Sequence, residues 1–237
     1  MENKNSLTIK WIATAIIVAS VIISGTILYT NSNGGLTNNN GNSGQAPSPS
    51  APTIDASKIK TEGVPFIGNA NAPVIVAEWY DYQCPFCKRF NDTMDQVITE
   101  YVNTGKVKIL FKDYQFLGQD SQIAGLASRA VWEVAPDKFY QFHSAMFDKQ
   151  DDENGGWGKK EDILDLIQSL GIDSAKVNQL MTSKAQEYQK LIDDDKSEGS
   201  SFGINGTPGT IIGGQLLSGA QPYESVKQLI EIALQEK

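Results

Sequence analysis

Cysteine and histidine are nearly absent: the 237 residues include two cysteines and one histidine. A disulfide-rich secreted scaffold is excluded, because such scaffolds depend on several bridges. A structural zinc site within one chain is excluded too, since four Cys and His ligands cannot be assembled. Positive charge is also scarce. Twenty Lys and Arg stand against 28 Asp and Glu, a formal net charge of −8. No basic field exists to attract phosphates, so nucleic acid is not an expected partner. There is no internal repeat. Apolar residues at 40% are enough for a core, and the length allows one large domain or two small ones.

One stretch lacks charge altogether. Residues 11–29 contain no Asp, Glu, Lys or Arg, and as a helix they would reach ~28 Å, close to a bilayer core. Lys4 and Lys10 precede this run, and the next basic residue is Lys58. The positive-inside rule then places residues 1–10 in the cytoplasm and everything after residue 29 outside the cell membrane. A cleavable signal peptide has a shorter apolar stretch and ends at a small-x-small site. A single-pass, uncleaved signal-anchor is the expectation. Residues 30–63 are rich in Asn, Gly, Ser and Pro. They read as a disordered linker with a reach of about 30 Å. A folded domain is expected over 64–237.

Within that domain, residues 74–80 form a short run rich in β-branched and apolar types, the pattern of a buried strand. A helix follows from Cys84 or Pro85 to Tyr101, with Phe90, Met94, Val97, Ile98 and Tyr101 at helical spacing. Gly105 ends it. Residues 107–111 read as a second strand, parallel to the first because a helix connects them. From Ser121 to Glu198 the period is helical, and four helices are expected: around 123–134, 139–147, 163–170 and 177–192. Strand character returns at residues 210–212. Gly213-Gly214 is a two-residue hairpin turn leading to residues 215–217. Pro222 opens a last amphipathic helix with Val226, Leu229, Ile230 and Leu234 on one face. The fold class is α/β, with an all-helical insertion at about 118–200.

The two cysteines form the motif Cys84-Pro85-Phe86-Cys87. Positions i and i+3 in a first helical turn lie ~5–6 Å apart, within reach of a disulfide. At the helix start, unpaired N–H groups and the macrodipole favour a thiolate at Cys84. Pro85 fits the first helical position, where its missing N–H costs nothing. Lys88 and Arg89 add positive charge one turn on. Cys84 is expected to be the nucleophile and Cys87 to resolve the mixed disulfide. A structural staple over so short a loop would be worth only about 2 kcal/mol. A zinc half-site would need a second chain. Position between a buried strand and an amphipathic helix favours the redox reading.

Two other features converge on the pair. Glu78 lies inside the apolar strand, where a carboxylate is costly unless protonated or paired. A raised pKa would suit it to move the proton of Cys87. The alternative is a solvated edge glutamate. Thr207-Pro208 stands just before the strand at 210. His143 lies in the helical block and reads as a packed or capping residue. Asn205-Gly206-Thr207 matches the glycosylation pattern by chance.

The stretches GNANAPVIVAEWYDYQCPFCKRF (68–90), DKFYQFHSAMFDKQ (137–150) and GINGTPGTIIGGQLLSGAQPYESVKQLIE (203–231) resemble the DsbA-like branch of the thioredoxin superfamily. The resemblance implies a thioredoxin-like fold with an inserted helical domain. It implies a cis Thr207–Pro208 bond facing the cysteines, with the Thr207 backbone pairing to an extended substrate, and Glu78 as buried proton acceptor. It also implies no cofactor beyond the redox-active Cys84–Cys87 disulfide. Partners would be exported proteins with free thiols and a membrane reoxidant, such as a quinone-linked DsbB-like or VKOR-like protein. The best-known exported oxidases carry Pro-His between the cysteines. Here Pro85-Phe86 offers no imidazole to stabilise the thiolate, so the dipeptide tunes the potential differently. A monomeric oxidase is the leading expectation. A reductase or isomerase on the same fold, or an anchored peptide-binding module, are the alternatives.

Overall fold

The computed structural model describes residues 54–236. The expected membrane segment at 11–29, and the expected linker up to residue 53, lie outside them. Among the described residues no helix is long and apolar enough to cross a membrane.

The first elements are strands β1 (Phe66–Gly68) and β2 (Val74–Tyr80), helix α1 (Pro85–Val97) and strand β3 (Val107–Asp113). Five helices follow: α2 (Gln119–Val134), α3 (Phe139–Lys149), α4 (Lys160–Ser169), α5 (Ser174–Ser183) and α6 (Ala185–Ser201). The hairpin β4 (Gly209–Ile212) and β5 (Gln215–Ser218) then leads to helix α7 (Tyr223–Gln235). The sheet order is β1-β3-β2-β4-β5. β2 and β3 are parallel, and the other neighbours are antiparallel. This is a thioredoxin-like α/β sheet with helices on both faces.

β2 is central and buried on both faces, which is why it reads as a nearly continuous apolar run. Val74, Val76 and Tyr80 point to the face packed by α1 and α7, and Ala77 and Trp79 to the other. At the hairpin, Gly213 and Gly214 have φ of +54° and +81°. A type I′ turn needs that conformation at both positions, and glycine adopts it without a Cβ clash.

Three expectations need correction, and one strand is unexpected. β1 has no counterpart in the sequence reading, because three residues are too few to show a period. α1 gives way at Ile98–Val102 to a π-helical turn that still buries Tyr101 and Val102. The helix expected over 177–192 is two helices broken at Lys184. Leu180 and Met181 pack within the helical block. After the break α6 returns to the sheet, where Trp79 Nε1 donates to the Asp195 carbonyl at 2.8 Å.

The folded unit also begins earlier than residue 64. Ile54 N–H donates to the Gly214 carbonyl at 2.8 Å, and Lys60 N–H to Glu198 Oε1 at 2.6 Å. Asp55 caps a 3₁₀ turn at Ala56–Lys58. Ile59 and Val64 are buried with Trp79, Leu110 and Ile211. Residues 54–63 are thus a strap on the sheet. Apolar residues five apart match no regular period, which is why the strap reads as linker.

Candidate active site

The site begins where β2 ends. Asp81 to Cys84 form a turn closed by Cys84 N–H donating to the Asp81 carbonyl at 3.0 Å. The buried Asp81 carboxylate holds the turn. It accepts from Gln83 N–H at 2.9 Å, Phe116 N–H at 2.9 Å, Leu117 N–H at 3.1 Å and Ser121 Oγ at 2.7 Å. The loop after β3 and the start of α2 are thereby tied to the strand that delivers the cysteines. Sequence reasoning missed Asp81. An Asp three residues before a helix start is an Asx-turn signal that could have found it.

Cys84 occupies the N-cap of α1 and Pro85 its first position. The two cysteines are thiols, Cys84 4% exposed and Cys87 wholly buried. Thr207–Pro208 is a cis peptide, and Cys84 Sγ donates to the Thr207 carbonyl at 3.3 Å. Residues 123 positions apart are in contact here. The Cys87 thiol and the N–H groups of the first turn favour the thiolate of Cys84. They outweigh burial, and its pKa falls to about 6. For Cys87, burial dominates, and its thiol is held well above the ordinary cysteine value. Two thiols three residues apart are thus split in acidity, one ionised at neutral pH and one not.

Glu78 is 1% exposed, so the solvated-edge alternative is gone. Burial pushes its carboxyl up to about 8. Its Oε2 has no hydrogen-bond partner. Its side chain lies on the Val76 and Tyr80 face of β2 by strand alternation, and its charge is felt at Cys87. Phe86 is 52% exposed, with the Arg89 guanidinium 5.1 Å from its ring centroid. His143 is packed among Tyr80, Tyr82, Phe111 and Phe147. Its Nδ1 lies 3.0 Å from the Tyr82 hydroxyl, and burial pushes its pKa down to about 3. It is a neutral core residue. Among the described residues no cluster of His, Cys, Asp and Glu is arranged to hold a metal.

A thiolate and a protonated thiol on one helical turn can take part in disulfide exchange, and the cis Thr207–Pro208 backbone lies beside them. Thiol–disulfide exchange on a thioredoxin-like fold is the chemistry this geometry defines. Residues 60–232 match the family described as Thioredoxin. The chain is 32% identical over 178 residues to disulfide bond formation protein D of Bacillus subtilis, covering 74% of this chain and 79% of that protein. Two solved structures are similar as well. One is oxidised BdbD from Bacillus subtilis, with TM-score 0.68, 30% identity, and 74% and 95% of the two chains covered. The other is the thiol-disulfide exchange protein alpha-DsbA2 from Wolbachia pipientis, with TM-score 0.64, 29% identity, and 71% and 86% covered. The chain belongs to the thioredoxin family and is a DsbA-like thiol–disulfide oxidoreductase.

Proposed function

We propose that this enzyme works as an oxidase, donating the Cys84–Cys87 disulfide to exported proteins. The observation that carries the reading is the acidity of Cys84, lowered to about 6. A stable thiolate favours the reduced enzyme, which makes the oxidised form a strong acceptor of electrons. In the forward reaction a client thiolate attacks Sγ of Cys84. The Cys84–Cys87 bond breaks, and the Cys87 sulfur leaves with the electron pair. Glu78, protonated up to about pH 8, supplies the proton that Cys87 retains. A second client thiolate then attacks the client sulfur of the mixed disulfide and expels Cys84 as thiolate. The client dithiol loses two electrons and the enzyme disulfide gains them.

Thr207 and Pro208 border Cys84 and offer the backbone against which an extended client lies. Pro85 starts the helix without a wasted N–H. Phe86 carries an apolar, exposed ring and offers no imidazole, so the stabilisation comes from the helix start and Cys87. Residues 11–29 would anchor a monomer to the cell membrane with residues 1–10 cytoplasmic and the helical insertion (about 118–200) outside with the rest of the domain. There a quinone-linked membrane partner of DsbB-like or VKOR-like type would restore the disulfide.

The test is the equilibrium potential of the pair against glutathione. A value nearer about −120 mV than about −270 mV is expected, the range that separates a strong oxidant from a reductant in this fold. A value at the reducing end, together with insulin reduction, would overturn the oxidase reading.

A further inference from the structure

Gln150 follows α3, in the helical block, and is buried. Its carboxamide Nε2 donates to the Tyr82 carbonyl at 2.6 Å and to the Cys84 carbonyl at 3.1 Å. Both amide hydrogens are therefore used on the turn that presents the nucleophile. The contact is reciprocal, since Lys88 Nζ on α1 donates to the Gln150 carbonyl at 2.8 Å. The same loop reaches the turn a second time, where Asn154 N–H donates to Gln83 Oε1 at 2.8 Å. The Asp81–Cys84 turn is thus gripped by Asp81 from within and by the loop after α3 from outside.

We propose that Gln150 is a positioning residue for the exchange reaction, holding the Cys84 turn through its two side-chain hydrogen bonds, one to the Tyr82 carbonyl and one to the Cys84 carbonyl. The inference rests on the reading of Cys84 as the nucleophile. As N-cap, Cys84 holds φ and ψ of −82° and 117°, with Sγ at the helix start where the Phe86 and Cys87 N–H groups favour the thiolate. The helix already holds the Cys84 carbonyl through Cys87 N–H at 3.1 Å and Lys88 N–H at 3.2 Å, and Gln150 adds a hold from outside the helix. The carboxamide also places two N–H donors on the Tyr82 and Cys84 carbonyl oxygens, which lowers the negative potential of the turn that carries the thiolate. Both effects favour the thiolate. The charged and titratable groups near Cys84 are Cys87, Lys88 and Arg89 of α1, Glu78 of β2 and Asp81 of the turn, with Lys149 and Asp151 flanking Gln150. Gln150 is neutral, so replacing it by another neutral residue changes none of these charges.

The experiment compares the full chain with Gln150→Met, which keeps the length without the donors, and Gln150→Asn, which withdraws the amide by one methylene. The thiolate midpoint of Cys84 is read from absorbance near 240 nm across pH. The equilibrium with glutathione is measured in parallel. Both variants are expected to raise the midpoint by about half a pH unit or more, an about threefold loss of thiolate stability. The glutathione equilibrium is expected to shift toward the disulfide form by a similar factor. A lowered melting temperature with midpoint and equilibrium unchanged would reduce Gln150 to a structural contact and overturn the inference. Loss of folding in the mild Gln150→Asn variant would do the same. Trapping keeps the two readings apart. If Cys87→Ser captures client proteins at Cys84 while the Gln150 variants leave the midpoint unmoved, only the Gln150 inference fails.

Discussion

At residue 78 a carboxyl sits in the middle of a buried strand with one oxygen unpartnered. Burial raises its pKa from 4.5 to about 8, so the folded state prefers the protonated form. The stability tied to that preference is complete below pH 4.5 and is lost as pH rises toward 8. Glu78→Gln removes the titration. It should stabilise the fold increasingly across that interval, on the order of 4 kcal/mol by pH 8. Denaturant melts at several pH values check this, and a variant no more stable at pH 8 than at pH 5, relative to wild type, would contradict it. The same variant should slow release of Cys87 from the disulfide, since the proton source is gone. Stability gained with rate lost is the pattern of a residue kept for chemistry. The sequence exposed this residue clearly, because a lone charge in a run of Val, Ile, Ala and Trp is conspicuous. It could not say which face Glu78 occupies or whether a base lies opposite.

At the scale of an element, α6 decides how the second face of the sheet is closed. It approaches so closely that a Cβ added at Gly199 would lie 2.7 Å from the Trp79 indole. One turn earlier the indole N–H is bound to the Asp195 carbonyl, so the ring cannot easily swing aside. Two effects compete in Gly199→Ala. Helix propensity favours alanine by about 1 kcal/mol, and overpacking costs about 1–3 kcal/mol. With the ring pinned, overpacking should win, and the urea midpoint should fall. A rise in the midpoint would mean that α6 can shift on the sheet. α1 differs in legibility. Its apolar spacing and Pro85 announce it, whereas α6 looks like the tail of a longer amphipathic helix. The break at Lys184 carries no Gly or Pro signal. It exists because α5 packs in the helical block and α6 packs on Trp79.

Across the whole molecule, one buried ionic network joins parts far apart in sequence. Arg129 of α2 pairs with Asp113 at the end of β3, 2.5 Å away, and with Asp195 of α6. Lys112, fully buried on β3, lies 2.9 Å from Asp195 and 2.7 Å from Glu198. Glu198 also receives the Lys60 N–H of the strap. Such networks contribute little net stability when intact, but removing one member leaves buried charge uncompensated. Arg129→Met should therefore cost about 3–5 kcal/mol, read as a lower melting temperature. A loss under 1 kcal/mol would show that water reaches the carboxylates in the variant. Because Asp113 and Tyr114 begin the connection to the helical block, loosening here should also disturb the loop that Asp81 binds.

The sequence by itself determined the chemistry and the core of the fold. Cysteines three apart at a helix start, a strand before them and a strand after are local patterns. Helix dipole, disulfide reach and strand burial act over those same few residues, so spacing alone shows them. The tertiary structure decided the rest. It placed the Thr207 carbonyl on Cys84 and buried Glu78 without a partner. It brought Gln150 to the Cys84 turn and drew residues 54–63 onto the sheet. The contacts among these join groups tens of residues apart, 123 for Cys84 and Thr207 and 138 for Lys60 and Glu198. No local period encodes such contacts, because their energy exists only once the sheet and helices have packed.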